Sequence, residues 1–443
     1  MPEAASPVRL NRGRVLILLI VAATALAALL LGRSPASTEA APGPPQSVVI
    51  LIGDGMGANQ RTATQLHHYG YETIQPMDAL DYAGHSNTHS IVPVTDSGAG
   101  ATAIATGQKT HNNFLAVDPE GNRLETLLEY AKSRGKSTGL VSDHDITNAT
   151  MGAFGAHVDN RDRKKEIARQ FAYETQPDVM FGGGEKTWYR PEDKDMIPDV
   201  FEDDANNADE NLVQKLIDDG YEYAYDRETV DALEGPRALG LVQDDAYIIG
   251  HAVRGYNRRE DPNFVPEEVL VAKALEILGQ NPNGFFLAIE VDELDDAGHE
   301  HDGKATLAMG QLVNKIVKKV EAYRQTDPNV LFVVTADHET GGMTVEGKLA
   351  KSNPSGGDGD VPAYGTPGNV PLPKGETPKR WGPFSVKGEK DLFKVDWTTP
   401  GHTGTSVPVT ASGPDAELLS GVYDNTYIHE VAHGVLSTGP SGP

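Results

Sequence analysis

The sequence predicts an α/β protein: a three-layer sandwich around a central, mostly parallel sheet, with a C-terminal surface insertion. Short β-branched apolar runs alternate with segments of helical spacing. Acids and histidines recur just past the apolar runs, where open α/β sheets collect ligands. A chain of 443 residues with 38% hydrophobic content is long enough for one large core, and no internal repeat divides it.

Taken in order, residues 1–41 read as an export signal or anchor. Arg9, Arg12 and Arg14 precede Val15–Leu31, an uncharged run of 17 residues whose one polar member is Thr24. Small residues follow, and Thr38-Glu39-Ala40 offers a cleavage site. A cleaved signal peptide is the first expectation and an uncleaved anchor the second, because the run is near the lower length limit for spanning a bilayer. The location expected is secreted or extracytoplasmic, with membrane contact only if the segment is retained. Residues 42–443 are expected to form a single catalytic domain.

Val48-Val49-Ile50-Leu51-Ile52 reads as a buried strand, followed by Gly53-Asp54-Gly55-Met56-Gly57 and a helix from about Asn59 to Tyr69. An Asp between glycines suits a cation better than a pyrophosphate. In Val94-Thr95-Asp96-Ser97-Gly98-Ala99-Gly100-Ala101-Thr102, a Ser follows an acid and precedes small residues, which predicts a hydroxyl at a helix start with open space above it. Helical spacing covers Leu124–Arg134, and Ser137–Val141 reads as a strand. Asp143–Thr150 reads as a polar loop, and a small helix through Gly152–Val158 leads to Arg161. A helix at about Arg163–Tyr173 and a strand at Asp178–Phe181 follow. Residues 185–265 carry no recognisable chemistry; a helix at Asn211–Gly220 and strands near Tyr221–Tyr225 and Leu239–Val242 are expected there.

Val265–Gln280 has one apolar face, and Gly284–Ile289 is a strand that Glu290 ends. Asp295 and His299, four residues apart, would share a helical face. The apolar stripe from Met309 to Tyr323 belongs to a long core helix. Asn329–Thr335 is a strand ending at Asp337-His338. Residues 348–390 are rich in Pro, Gly and Lys and predict a surface insertion with little structure of its own. His402, in Gly401-His402-Thr403-Gly404, closes the set of candidate ligands.

The net charge of −26 argues against nucleic acid as a dedicated partner. It also repels phosphate esters, so phosphate chemistry would need a local cationic site of metals and an Arg. With no Cys in the chain, disulfides and lipoprotein anchoring are excluded. Histidines mixed with carboxylates suit zinc. Asp54 and Glu290 with the Thr150 hydroxyl form an all-oxygen set that suits magnesium.

Six segments together resemble the alkaline phosphatases: Ile52–Gly57, Thr95-Asp96-Ser97, Ala156-His157-Val158 before Arg161, Glu290 with Asp295 and His299, Val334–Gly342, and Gly401–Gly404. The resemblance runs in unbroken order from about Val48 to His402. It implies a phosphomonoesterase whose nucleophile, Ser97, forms a phosphoseryl intermediate. It further implies one zinc on Asp295, His299 and His402, a second on Asp54, Asp337 and His338 that also binds the Ser97 oxygen, and a magnesium on Asp54, Thr150 and Glu290. Arg161 would grip two phosphate oxygens, with Asp96 orienting it. The family is often dimeric, so a homodimer is possible.

Two positions depart from the family's pattern. Asn148 stands where members carry Asp or His, a weaker cation partner. Asp296 stands where Lys, His or Trp is common near the phosphate, and would repel phosphate or bind an extra cation. The remaining histidines, His144 among them, carry no role, with His301 the one candidate exception. Two alternatives remain: a phosphodiesterase or dedicated antibiotic-phosphate hydrolase on the same scaffold, and a metal-dependent structural or adhesive surface protein. The latter leaves Ser97 without a role.

Overall fold

A computed structural model of the chain describes residues 46–190, 209–243, 265–347, 381–390 and 392–439. The expected signal or anchor at 1–41 and most of the expected insertion, residues 348–380, lie outside the described residues. Among the described residues no helix is long and apolar enough to cross a membrane.

The strands, in chain order, are β1 Ser47–Gly53, β2 Tyr82–Asn87, β3 Ser137–Asp145, β4 Val179–Gly183, β5 Glu222–Ala224, β6 Ala238–Gln243, β7 Phe285–Val291, β8 Val330–Thr335, β9 Glu339–Thr340, β10 Thr344–Gly347, β11 Phe384–Ser385, β12 Leu392–Asp396, β13 His402–Thr403, β14 Val407–Ser412 and β15 Gly421–Asp424. The α-helices are α1 Ala58–His68, α2 Ser97–Thr106, α3 Leu127–Ser133, α4 Ala149–Gly155, α5 Lys164–Gln170, α6 Leu212–Asp218, α7 Arg227–Asp231, α8 Glu267–Leu278, α9 Glu293–His299, α10 Gly303–Arg324 and α11 Thr426–Leu436.

Ten strands form one sheet in the order β15-β2-β14-β8-β1-β7-β3-β4-β6-β5. Every pairing in it is parallel except those of β14, which runs antiparallel to both β2 and β8. The three layers follow from the period of β1. Val48, Ile50 and Ile52 enter one apolar cluster with Ile104 of α2, Leu127 of α3, Phe154 of α4 and Ile428 of α11. Val49 and Leu51 enter the other with Leu270 of α8 and Val313 and Ile316 of α10. Alternate side chains of a strand point to opposite faces, so a strand apolar at every position is one covered on both sides.

Some boundaries differ from the sequence expectations. β3 runs through Asp145, so the first three residues of the expected polar loop are strand, and α4 begins at Ala149 rather than Gly152. Glu290 lies within β7 instead of ending it. The end of the expected insertion is ordered as strand: β11 pairs with β12, which also pairs with β10. That small sheet packs Phe384, Phe393 and Trp397 against Ala63 of α1.

α11 places a titratable pair against this framework. His429 and His433 lie with ring centroids 5.5 Å apart, and burial, then the charge of His433, pushes His429 down to about 4. Its folded value lies below its ordinary 6.5, so the stability it contributes is full above that value and is lost as the pH falls through about 4. The ceiling is about 3 kcal/mol, reduced because the ring is partly exposed. His429→Gln should therefore shrink the fall in Tm between pH 7 and pH 4.5. An unchanged fall would remove His429 as a cause.

Candidate metal centre and active site

The site lies past the C-terminal ends of β1, β7 and β8, adjacent strands in the sheet. β1 delivers Asp54, which is 1% exposed and whose backbone N–H donates to the Val291 carbonyl at 3.0 Å. Gly55 follows with φ +68°, and a Cβ there would sit 2.8 Å from both Asp295 Oδ1 and Thr340 Oγ1. Only glycine lets the β1 turn come this close to the side chains of the neighbouring loops.

Ser97 is the first residue of α2, and Asp96 caps the helix: its Oδ1 accepts from the Ala99 N–H at 3.0 Å. The small residues after Ser97 have a steric reason, since a Cβ on Gly100 would lie 3.0 Å from the Asp337 carbonyl oxygen. This close approach sets Ser97 Oγ 3.3 Å from His338 Nε2. Asp96 Oδ2 accepts from the Asn113 N–H at 3.0 Å and from Arg161 Nη1 at 3.3 Å, and Arg161 Nη2 reaches Asn148 Oδ1 at 3.5 Å. Burial works against the guanidinium charge, but Asp96, then Asp54 and Asp292, outweigh it and hold Arg161 above its ordinary value.

The candidate ligands fall into overlapping groups. Asp54, Asp337 and His338 offer ligand atoms within 4.8 Å of one another, and so do Asp295, His338 and His402. His299 adjoins the second group, its Nε2 3.0 Å from Asp295 Oδ2 and 3.2 Å from His402 Nε2. A third group is Asp54, Glu290 and Asp292, also within 4.8 Å. Thr150 Oγ donates to Asp54 Oδ2 at 3.3 Å, and Ser142 Oγ to Glu290 Oε2 at 2.8 Å. The structure thus brings Asp54, Ser97, Thr150, Arg161, Glu290, Asp295, His299, Asp337, His338 and His402 into one pocket region.

The donor chemistry fits metal ions on two counts. His299 Nδ1 lies 2.5 Å from the Pro400 carbonyl and His402 Nδ1 2.9 Å from the Thr95 carbonyl. Each carbonyl accepts from Nδ1–H, so Nε2 is the nitrogen turned toward the cluster; the Asp295 carboxylate pushes His299 up to about 9, and a metal there would displace the Nε2 proton. His338 Nδ1 lies 3.2 Å from the Thr340 hydroxyl, and its Nε2 faces Ser97, Asp54 and Asp337. The second count is electrostatic. Asp54 Oδ1, Glu290 Oε1 and Asp337 Oδ2 are buried and take no hydrogen bond. Burial, then neighbouring carboxylates, raises Asp54 and Glu290 well above the usual range and pushes Asp337 up to about 7. Dications would relieve that repulsion.

Three residues absent from the sequence-based ligand set stand here. Asp292 belongs to the third group and, with His144 and Asp296, to a fourth. Burial, then Asp292, pushes Asp296 up to about 7. Asp292 comes directly after β7, which ends at Val291, and the turn into α9 leaves it beside Glu290. His301 sits outside the ligand groups. It stacks on Trp397 at 5.5 Å and bonds the Thr399 carbonyl at 2.9 Å, which steadies the segment leading to His402.

The family model described as "Alkaline phosphatase" matches residues 45–438. Alkaline phosphatase 3 of Bacillus subtilis is 30% identical, over 86% of this chain and 87% of its own. Streptomycin-6-phosphate phosphatase of Streptomyces griseus is also 30% identical, over 94% of this chain and 95% of its own. Among solved structures, a cold-active alkaline phosphatase from a psychrophilic Shewanella superposes with a TM-score of 0.69 at 26% identity, covering 88% of this chain and all of that one.

Proposed function

The chain belongs to the alkaline phosphatase family and is a metal-dependent phosphomonoesterase, and on that premise we propose that it works through a phosphoserine at Ser97 with two zinc ions and one magnesium. The observation that carries this reading is the Ser97 hydroxyl, 3.3 Å from His338 Nε2 and joined through Asp96 to the Arg161 guanidinium.

Asp295, His299 and His402 would hold one zinc; Asp54, Asp337 and His338 would hold the other. Thr150 with Asp54 and Glu290 would hold magnesium. Bound there, the ions supply Lewis acidity, which makes a serine oxygen a competent nucleophile near neutral pH and offsets charge on the leaving oxygen. Arg161 binds two non-bridging phosphate oxygens, oriented by its bond to Asp96 Oδ2. Asp96 fixes the start of α2, so that Ser97 Oγ points at phosphorus. The Oγ–P bond forms as the ester P–O bond breaks, and the departing oxygen takes a proton to leave as alcohol. Water then attacks the phosphoserine, the Oγ–P bond breaks, Ser97 regains its proton, and inorganic phosphate leaves. Two inversions give net retention at phosphorus.

The test is turnover of p-nitrophenyl phosphate against bis-p-nitrophenyl phosphate, with metal content measured before and after chelation. The monoester should react faster, and chelation should end turnover. Faster diester hydrolysis, or activity in metal-free protein, would overturn the proposal. The Streptomyces relative's name supports one narrower reading, a phosphorylated antibiotic as substrate, which streptomycin-6-phosphate in the same assay addresses. We further propose that residues 1–41 direct export and that the mature protein acts outside the cytoplasm, as a homodimer if it follows family habit.

A further inference from the structure

We propose that Asp292 is a direct ligand of the third, oxygen-bound cation, supplying the carboxylate that Asn148 does not. The inference rests on the reading above that a hard cation occupies the Asp54, Thr150 and Glu290 position.

Asp54, Glu290 and Asp292 are 1%, 0% and 8% exposed, with one oxygen of each within 4.8 Å of the others. Asp54 Oδ1 and Glu290 Oε1 are buried without a hydrogen bond. Among the described residues none of the three carboxylates pairs with a Lys or Arg. Such a trio is stable only if protonated or if a cation neutralises it. An all-oxygen set of three carboxylates and the Thr150 hydroxyl is the chemistry of magnesium or manganese.

Asp292 is held for this role from two sides. Its backbone N–H donates to the buried Asp143 Oδ1 at 2.7 Å, and its Oδ1 accepts from Asn148 Nδ2 at 3.0 Å. Asn148 also faces Arg161 Nη2 through its amide oxygen at 3.5 Å. An amide can serve both neighbours, because it offers a donor to the carboxylate and an acceptor to the guanidinium. A carboxylate at 148 would repel Asp292. Asn148 is therefore the positioning residue, and the carboxylate stands at 292 rather than at 148.

Manganese serves as the probe because its free form is visible by electron paramagnetic resonance. Zinc-replete protein is titrated with Mn²⁺, and bound metal is counted after gel filtration. Asp292→Asn should raise the Mn²⁺ dissociation constant about 10- to 100-fold at unchanged zinc content. Asn148→Asp added to that variant should recover much of the affinity by returning a carboxylate to the shell. Equal Mn²⁺ affinity in parent and Asp292→Asn overturns the inference. If Asp292→Asn also loses zinc, the double variant decides, with recovery supporting the charge role and failure overturning it. A parent that binds no cation beyond its zinc overturns the three-ion reading itself, a result distinct from parent and variant binding equally.

Discussion

Ser97→Ala is expected to lower kcat for p-nitrophenyl phosphate on the order of 10⁴-fold or more, while leaving metal content and Tm close to the parent. The separation follows from how α2 begins. The bond that caps the helix comes from Asp96 Oδ1 to the Ala99 N–H, and the bond that aligns Arg161 comes from Asp96 Oδ2. Ser97 Oγ takes part in neither; its neighbour is His338 Nε2. Ala is a better helix former than Ser, and the position is 4% exposed, so the substitution removes one oxygen and opens little space. Chemistry and architecture therefore part at this residue. Retention of activity within tenfold would mean that the hydroxyl is not the nucleophile. An inactive parent with the same fold would return the structural-protein alternative to consideration.

The central strands were legible because β1, β7 and β8 are apolar at nearly every position, a pattern that a sheet covered on both faces demands. The strands toward the β15 edge were not. β14 contains Pro408, a residue that argues against strand, yet it pairs with β2 on one side and β8 on the other. β2 reads Tyr-Ala-Gly-His-Ser-Asn and alternates buried with exposed only in part. α11 was missed although its apolar residues Ile428, Val431, Ala432, Val435 and Leu436 are buried; two histidines and a glycine dilute the stripe.

The same logic divides the site. Asp54 and Asp337-His338 stand just past apolar strands and could be read as ligands from position alone. Asp292 was hidden in Asp292-Glu293-Leu294-Asp295-Asp296, which looks like the solvated first turn of a helix. Glu293 is in fact 1% exposed and Asp292 8%. His144 was hidden for the related reason that polar residues at the end of β3 read as loop when they belong to a strand. Acids that serve a cation and acids that serve solubility have the same letters; burial, set by the sheet, distinguishes them.

Asp54→Asn should have the widest effect on metal of any single substitution, because Asp54 is the carboxylate common to the Asp337–His338 group and the Glu290 group, which the proposed mechanism assigns to zinc and to magnesium. Its Oδ1 lies 3.5 Å from His338 Nε2, on the side of Asp337, and its Oδ2 accepts from Thr150 on the side of Glu290. Losing the charge weakens both cation positions at once, so both zinc and magnesium content should fall. kcat/KM should drop on the order of 10³-fold, the product of two ligand losses of 10- to 100-fold each. Glu290→Gln, on one group only, should spare the zinc. The stability effect changes sign with metal. In chelated protein, burial and then Asp337, Asp295, Asp292 and Glu290 all disfavour a charge on Asp54. A carboxyl with a raised folded value loses its stabilising contribution as the pH climbs from the unfolded toward the folded value, so at pH 8 the bare parent carries that strain and the Asn variant does not. With zinc and magnesium present the ordering reverses, because the parent binds more metal and binding to the native state adds stability. Four melting curves at pH 8, parent and variant, each with chelator and with both metals, should therefore cross. A variant less stable than the parent in chelator would show that Asp54 supports the fold by something other than holding cations.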